Sequence, residues 1–428
     1  MNSKSTGSSV AAAGVTVAAL ALIYKTLTKR PLSVSSVSAS NTYLLAGDIG
    51  GTNSRLSLYD PRHCAPSGSA DPPAPLHTRT FRNSALLQHG DGDLTFALDV
   101  ILPFLTECFE DEGRGISERP NIVACFAVAG PVHRNRAQMT NIGGDHAPDV
   151  GAPKQILVID GGVIESASRS HLAKLVRCRI VNDFVGQGYG ALDLNLDTEC
   201  RELVAGSKAK IDPLGPKVCV GAGTGLGECY LTISSLNPEA GYECYPSEGG
   251  HVEFSPRSEL EVELLQYLMK KFQQNHRVSV ERVVSGKGLA NVYEFLAQKF
   301  PHRVDKAIHA EFLEASDMQG AVVGKNAGIR GSLMEQAMTI MVGSYGSEAG
   351  SAALKWIPTG GIYITGGLTP KNIRYIEGKD SPFLKAFFDK GRVSPLLDSI
   401  PVFAVMNEDI GLRGARVCAM REFKSLCC

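Results

Sequence analysis

From Tyr43 onward the 428-residue chain alternates short apolar runs with stretches of helical spacing, the pattern of a mixed α/β protein. Asn121 to Val128 is an apolar run that predicts a buried strand stopping at Ala129-Gly130-Pro131. Arg179 to Val181 closes another strand at Asn182-Asp183, so both strands present polar groups at their ends. Leu and Tyr recur at helical spacing in Ser258 to Phe272, and Ala307 to Trp356 reads as largely helical core. Clusters of Pro and Gly place surface loops at Pro61 to Pro75 and Asp145 to Pro153.

Three times an apolar run breaks on glycine. In Leu44 to Leu58, Asp48 stands at a strand end, Gly50-Gly51-Thr52-Asn53 make the turn, and a second strand follows. Glycine lacks a Cβ, so such a turn can aim successive amides at an anion, and Asp48 beside it could hold a hydrated Mg²⁺. Lys217 to Leu231 repeats the grammar around Gly221, Gly223, Thr224 and Gly225, with the Thr224 hydroxyl and amide placed to donate to a β- or γ-phosphate. Ile362 to Leu368 runs a strand into Gly366-Gly367 before a helix, a suitable floor for a nucleotide base and ribose. Two phosphate cradles suggest two facing lobes. The chain has no GxxxxGK[ST] run, which excludes a Walker-type loop, and no dinucleotide fingerprint in a βαβ setting.

Composition sharpens this only at the edges. With 43% hydrophobic and 20% charged residues the chain has material for two domains with substantial cores. Its 43 basic residues nearly cancel 44 acidic ones, so the net charge of -1 gives no reason to expect nucleic acid as a partner. Eleven cysteines are scattered without CxxC spacing, and Cys125 and Cys219 lie in apolar runs, which reads as reduced, buried thiols rather than zinc ligands. Residues 1–42 contain no Asp or Glu, are rich in Ser and Ala, and carry an apolar run from Val10 to Tyr24 followed by Lys25, Lys29 and Arg30. Such a segment suits either a membrane anchor with the bulk of the chain in the cytoplasm or a transit peptide for a plastid or mitochondrion.

The order of these units resembles the actin-like ATPase architecture: an α/β fold in which two ribonuclease-H-like lobes close on ATP held between two Gly hairpins. With Ser247-Glu248-Gly249-Gly250-His251, Val280-Glu281-Arg282-Val283-Val284-Ser285-Gly286 and Ile180-Val181-Asn182-Asp183-Phe184, the resemblance narrows to bacterial-type glucokinase, in order from about Leu44 to Ala415. The resemblance implies ATP-dependent phosphorylation of glucose at the 6-hydroxyl, with Mg²⁺. It makes Asn182, Asp183, Glu248, His251 and Glu281 the glucose contacts and Asp183 the catalytic base. A hexose presents hydroxyls that both donate and accept, so converging carboxylates, an amide and an imidazole suit it independently. Asp48, Gly50, Gly51, Thr52, Asn53, Gly221, Gly223, Thr224, Gly225, Gly366 and Gly367 would bind the nucleotide, with Asp48 toward the metal. The expected layout is a small domain over 43–193 plus about 405–428, and a large domain over 194–404. Closure would follow glucose binding, because water competes as a nucleophile. The Ile142-Gly143-Gly144-Asp145 stretch departs from the family pattern near the sugar. A kinase for another hexose, one using polyphosphate, or a glucose sensor without catalysis are the alternatives, and a homodimer is a further expectation.

Overall fold

A computed structural model describes residues 41–64, 73–86, 94–110, 120–139, 156–167, 173–204 and 209–427. The expectations for residues 1–40, for the whole Asp145 to Pro153 loop and for the stretch after Met139 lie outside the described residues. Among those described, no helix is long and apolar enough to cross a membrane.

The first sheet is built from β1 (Thr42–Ile49), β2 (Asn53–Tyr59), β3 (His77–Arg82) and β4 (Asn121–Val128). A small three-stranded sheet of β5 (Val132–His133), β6 (Arg136–Met139) and β7 (Leu157–Asp160) follows in the chain, and β8 (Lys174–Asn182) completes the first. The spatial order is β3-β2-β1-β4-β8, an antiparallel meander continued by two parallel strands. The second large sheet contains β9 (Cys200–Glu202), β10 (Lys217–Ala222), β11 (Leu226–Ile233), β12 (Tyr242–Ser247), β13 (Ile362–Thr365) and β14 (Val402–Val405). Its order is β12-β11-β10-β13-β14-β9, so the same meander and parallel extension recur, with β9 added antiparallel at the edge. The repeated Gly-turn grammar is therefore the first hairpin of each of two like sheets.

Burial explains the apolar runs. Ile122, Ala124, Phe126 and Val128 of β4 face one core, while Val123, Cys125 and Ala127 face another on the opposite side of the sheet. A strand covered on both faces has no polar face to alternate with, hence the unbroken run. Helices α1 (Asp183–Ala191), α2 (Gly286–Lys299), α3 (Leu333–Trp356) and α4 (Ile410–Cys427) do most of the covering near the site. α1 belongs to two cores: Val185 and Tyr189 join Ala415 and Cys418 of α4, whereas Ala191 joins Cys219, Cys229 and Leu231 of the second sheet. In the short helix Leu196–Glu199 beyond α1, Glu199 is held by a bidentate pair from Arg413 of α4, both nitrogens at 2.7 Å. That planar fork pins α4 to the connection between the two sheets.

Candidate active site

Register brings the strand ends together. Ile49 of β1 pairs with Val128 of β4, which pairs with Asn182 of β8, so Asp48 and Asn182 lie along the carboxyl edge of the first sheet's parallel strands. Open α/β sheets bind ligands at that edge. Asn182 caps α1, its Oδ1 accepting from the amides of Phe184 at 2.9 Å and Val185 at 3.4 Å. Its Nδ2 donates to Gly130 O at 3.1 Å and to Asp183 Oδ1 at 2.9 Å. One side chain thus fixes the helix start, the β4 exit and the carboxylate beside it. Burial, then the negative charge of Asp48, push the Asp183 carboxyl up to about 7, against the opposing hydrogen bonds.

The first hairpin closes with Gly50 N donating to Asn53 O at 2.9 Å, leaving Thr52 and Asn53 exposed. Asp48 faces Arg55 across the strand pair at 3.9 Å, and Arg55 reaches on to Asp409 at 2.7 Å. Burial raises the Asp48 carboxyl, Arg55 opposes the shift, and Asp409 adds to it. The backbone at Gly411, in the first turn of α4, also lies against Asp48: a Cβ there would stand 3.2 Å from Oδ2. Asp48 is therefore anchored from two sides but still one-third exposed.

In the second hairpin Gly223 N donates to Gly225 O at 2.8 Å, and the glycines divide the work. No described residue lies within 4 Å of the space a Gly223 side chain would take, and Thr224 beside it is exposed. Gly221 instead makes room for Thr365, whose Oγ1 would be 2.4 Å from an added Cβ, and for Phe184, whose ring would be 2.8 Å away. Gly227 makes room for the same ring, at 2.1 Å. Phe184, next to Asp183, is thereby seated on the strands of the second hairpin. Gly366 has φ +80, where L side chains are strained, and an added Cβ would strike Ala222 O at 2.3 Å. Gly367 follows it, near Lys371 and Glu408.

Glu248 and His251 face each other at 3.9 Å and are open to solvent, with side chains 70% and 57% exposed. Glu281 sits in a short 3-10 turn and its Oε2 accepts from Leu226 N at 2.9 Å, at the foot of the second hairpin. No hydrogen bond among the described residues joins Asp183 to Glu248 or His251. A cavity of about 440 Å³ elsewhere, lined by residues including Arg79, Phe81, Leu98 and Pro103, contains none of these side chains.

The glucokinase family model matches residues 45–145 and 163–422. The chain belongs to the glucokinase family. A glucokinase of Synechocystis sp. is 34% identical over 401 residues, covering 90% of this chain and 99% of that protein. One from Nostoc sp. is 36% identical over 392 residues, covering 89% and 99%. Among solved structures, the glucokinase of Balamuthia mandrillaris in complex with glucose superposes with a TM-score of 0.65 at 23% identity, over 91% of this chain and 96% of that one. The glucokinase from an Antarctic psychrotroph gives 0.62 at 24%, over 88% and 98%. These likenesses establish the two-lobed actin-like fold expected from the order of Gly turns.

For a glucokinase-family chain, sequence reasoning passed over several residues that hold the site. Asn83, fully buried, accepts from Ser54 Oγ at 2.6 Å, donates to Gly50 O at 2.6 Å, and donates its own amide to Thr52 O at 2.9 Å. Arg55, Asp409, Phe184 and Gly411 were missed as well. Arg55 alone carried a legible signal, an arginine one turn beyond a candidate metal carboxylate.

Proposed function

We propose that Asp183 is the proton acceptor in this chain's phosphorylation of glucose by ATP. As a member of the glucokinase family the chain phosphorylates glucose, and the reading of its individual residues rests on one observation above all. A half-buried carboxyl pushed up to about 7 lies within the influence of Asp48 of the first Gly hairpin, while the next residue, Phe184, packs on the second, which suits it to accept a proton near neutral pH. In the step, Asp183 takes the proton of the 6-hydroxyl as its oxygen bonds to the γ-phosphorus, and the bond to the β-phosphate oxygen breaks to release ADP. Asn182 keeps the Asp183 carboxylate turned toward the cleft, while Glu248, His251 and Glu281 would orient the other hydroxyls. Orientation of this kind supplies much of the rate in a phosphoryl transfer.

The amides of Gly51 and Thr52 in the first turn and of Thr224 and Gly225 in the second would hold the phosphates, those of Gly50 and Gly223 closing the turns themselves, and Gly366 with Gly367 would take the nucleoside end. Asp48 suits Mg²⁺: its carboxylate is one-third exposed at a strand end beside the first Gly turn, and this ion needs only one or two protein carboxylates. Bound there, Mg²⁺ would neutralise phosphate charge. The exposed Glu248–His251 pair supports closure of the cleft over the sugar, which excludes water. Residues 1–44 precede the family match, which supports reading the acid-free segment as an appended anchor or transit peptide. A fluorescent fusion with and without residues 1–40 reads this: unchanged cytosolic distribution dismisses both. Pairing of two copies remains a proposal for sedimentation. The catalytic reading is tested by Asp183→Ala in a coupled assay with glucose, ATP and Mg²⁺. Near-normal turnover in a folded variant removes Asp183 from its role.

A further inference from the structure

Leu226, the first residue after the second Gly turn, is gripped by both sugar motifs. Its N–H donates to Glu281 Oε2 at 2.9 Å. Its C=O lies against Gly250 so closely that an added Cβ on Gly250 would stand 1.9 Å from the oxygen. The turn itself is tied to the same segment, with Gly286 N donating to Gly223 O at 2.9 Å and Gly225 backed by the Glu281 carboxylate. The two sugar motifs are also bonded to each other. Val280 N donates to Val252 O and Phe254 N to Val278 O, both at 2.8 Å, around a bridge between Glu253 and Ser279.

We propose that Glu281 is a positioning residue that couples the sugar pocket to the nucleotide loop: one carboxylate oxygen holds the Leu226 amide while the other meets a sugar hydroxyl. The inference rests on the reading of Glu281 as a sugar contact and goes beyond it, since that role alone leaves the nucleotide loop untouched. A carboxylate that accepts from a backbone amide keeps that amide aimed and its turn rigid. A hydroxyl donating to the second oxygen fixes the carboxylate's rotation about its last torsion, which is otherwise broad. Sugar binding then stiffens the Ala222–Leu226 turn before the phosphates arrive. The nucleotide loop is thereby better organised when the acceptor is present, which favours transfer to sugar over transfer to water.

The test compares Glu281→Ala with Glu281→Gln in the full chain. Glutamine keeps an oxygen acceptor at nearly the same reach and loses the charge; alanine loses both. Amide hydrogen exchange at Leu226, and binding of a non-hydrolysable ATP analogue with Mg²⁺ in the absence of sugar, are read beside the glucose KM. For Glu281→Ala, exchange at Leu226 is expected to rise about tenfold and sugar-free nucleotide affinity to fall about three- to tenfold. For Glu281→Gln both should stay within about twofold of the unaltered protein, because the acceptor remains. The glucose KM should rise in both variants. Unchanged Leu226 exchange and nucleotide affinity in Glu281→Ala overturn the coupling even if the glucose KM rises, a result that leaves the sugar contact standing. An unchanged glucose KM in both variants, with the loop effects present, overturns it from the other side by removing the sugar contact.

Discussion

The two Gly hairpins share a strand-turn-strand grammar but are held in different ways. The first is fastened by a neutral amide, Asn83, which bonds to Ser54, Gly50 and Thr52 and touches none of the sugar candidates. The second is fastened by the sugar motifs themselves, through Glu281, Gly286 and Gly250. A support made of a buried amide holds one geometry whatever the sugar does. One made of a carboxylate proposed to contact the sugar would report on the sugar. Asp183 stands between the two, linked to Asp48 of the first by charge and to the second through Phe184.

Removing what the hairpins share should have the largest effect. Asp183→Asn is expected to lower kcat by about 10²- to 10⁴-fold, read in a coupled assay. The same variant should melt higher than the unaltered chain above pH 7. The sign follows from the raised pKa: the folded carboxyl holds its proton to about 7 and the unfolded one only to about 3.8, so ionisation costs the fold stability as pH rises between them. Below that window both states are protonated, and the difference in Tm should vanish.

Next comes Asn83→Ala, which should raise the KM for ATP about three- to tenfold with the glucose KM unmoved, since it leaves Gly50 O and Ser54 Oγ without their partner. A glucose KM that rises in parallel would erase the distinction between the hairpins. Combining Asn83→Ala with Glu281→Ala sharpens it further. Independent supports should add to within about 0.5 kcal/mol in sugar-free nucleotide binding.

The smallest effect lies beneath the second hairpin. Glu228 of β11 is buried, with Oε1 lacking a hydrogen-bond partner among the described residues, and Gly249 is packed on its other oxygen. Burial, then the charge of Glu348, push its carboxyl up to about 8. Glu228→Gln should therefore raise Tm at pH 9 and change little at pH 4, because only the ionised form is penalised. A melting curve at the two pH values reads this.

Much of the framework was legible because it depends on local pattern. The doubly buried β4 appears as an unbroken apolar run with the bounds Asn121 and Val128, and Ser258 caps a helix of Glu259–Lys271 within the stretch read as helical. The region Ala307 to Trp356, read as largely helical, holds the helices Lys306–Glu314, Gln319–Asn326 and Leu333–Trp356, the last started by Ser332 capping Glu335 N. The strand-end carboxylates and Gly366 were visible for the same local reason. What escaped was contact between distant backbone and side chain. Nothing near Asn83 in sequence marks it as the clamp on Gly50, and no periodicity announces that Glu281 meets a backbone amide at Leu226. Gly221 reads as a phosphate glycine, and its neighbours Thr365 and Phe184 come from distant parts of the chain that no local pattern announces.

The central claim is that Asp183 is kept ready to accept a proton by burial and by the neighbouring charge of Asp48. A carboxyl-carbon NMR titration of Asp183 in the ligand-free protein tests it directly, with Asp48→Asn alongside. The account predicts a midpoint near 7 that falls in the variant. A midpoint near the ordinary aspartate value of about 3.9, or one that Asp48→Asn leaves in place, would contradict it.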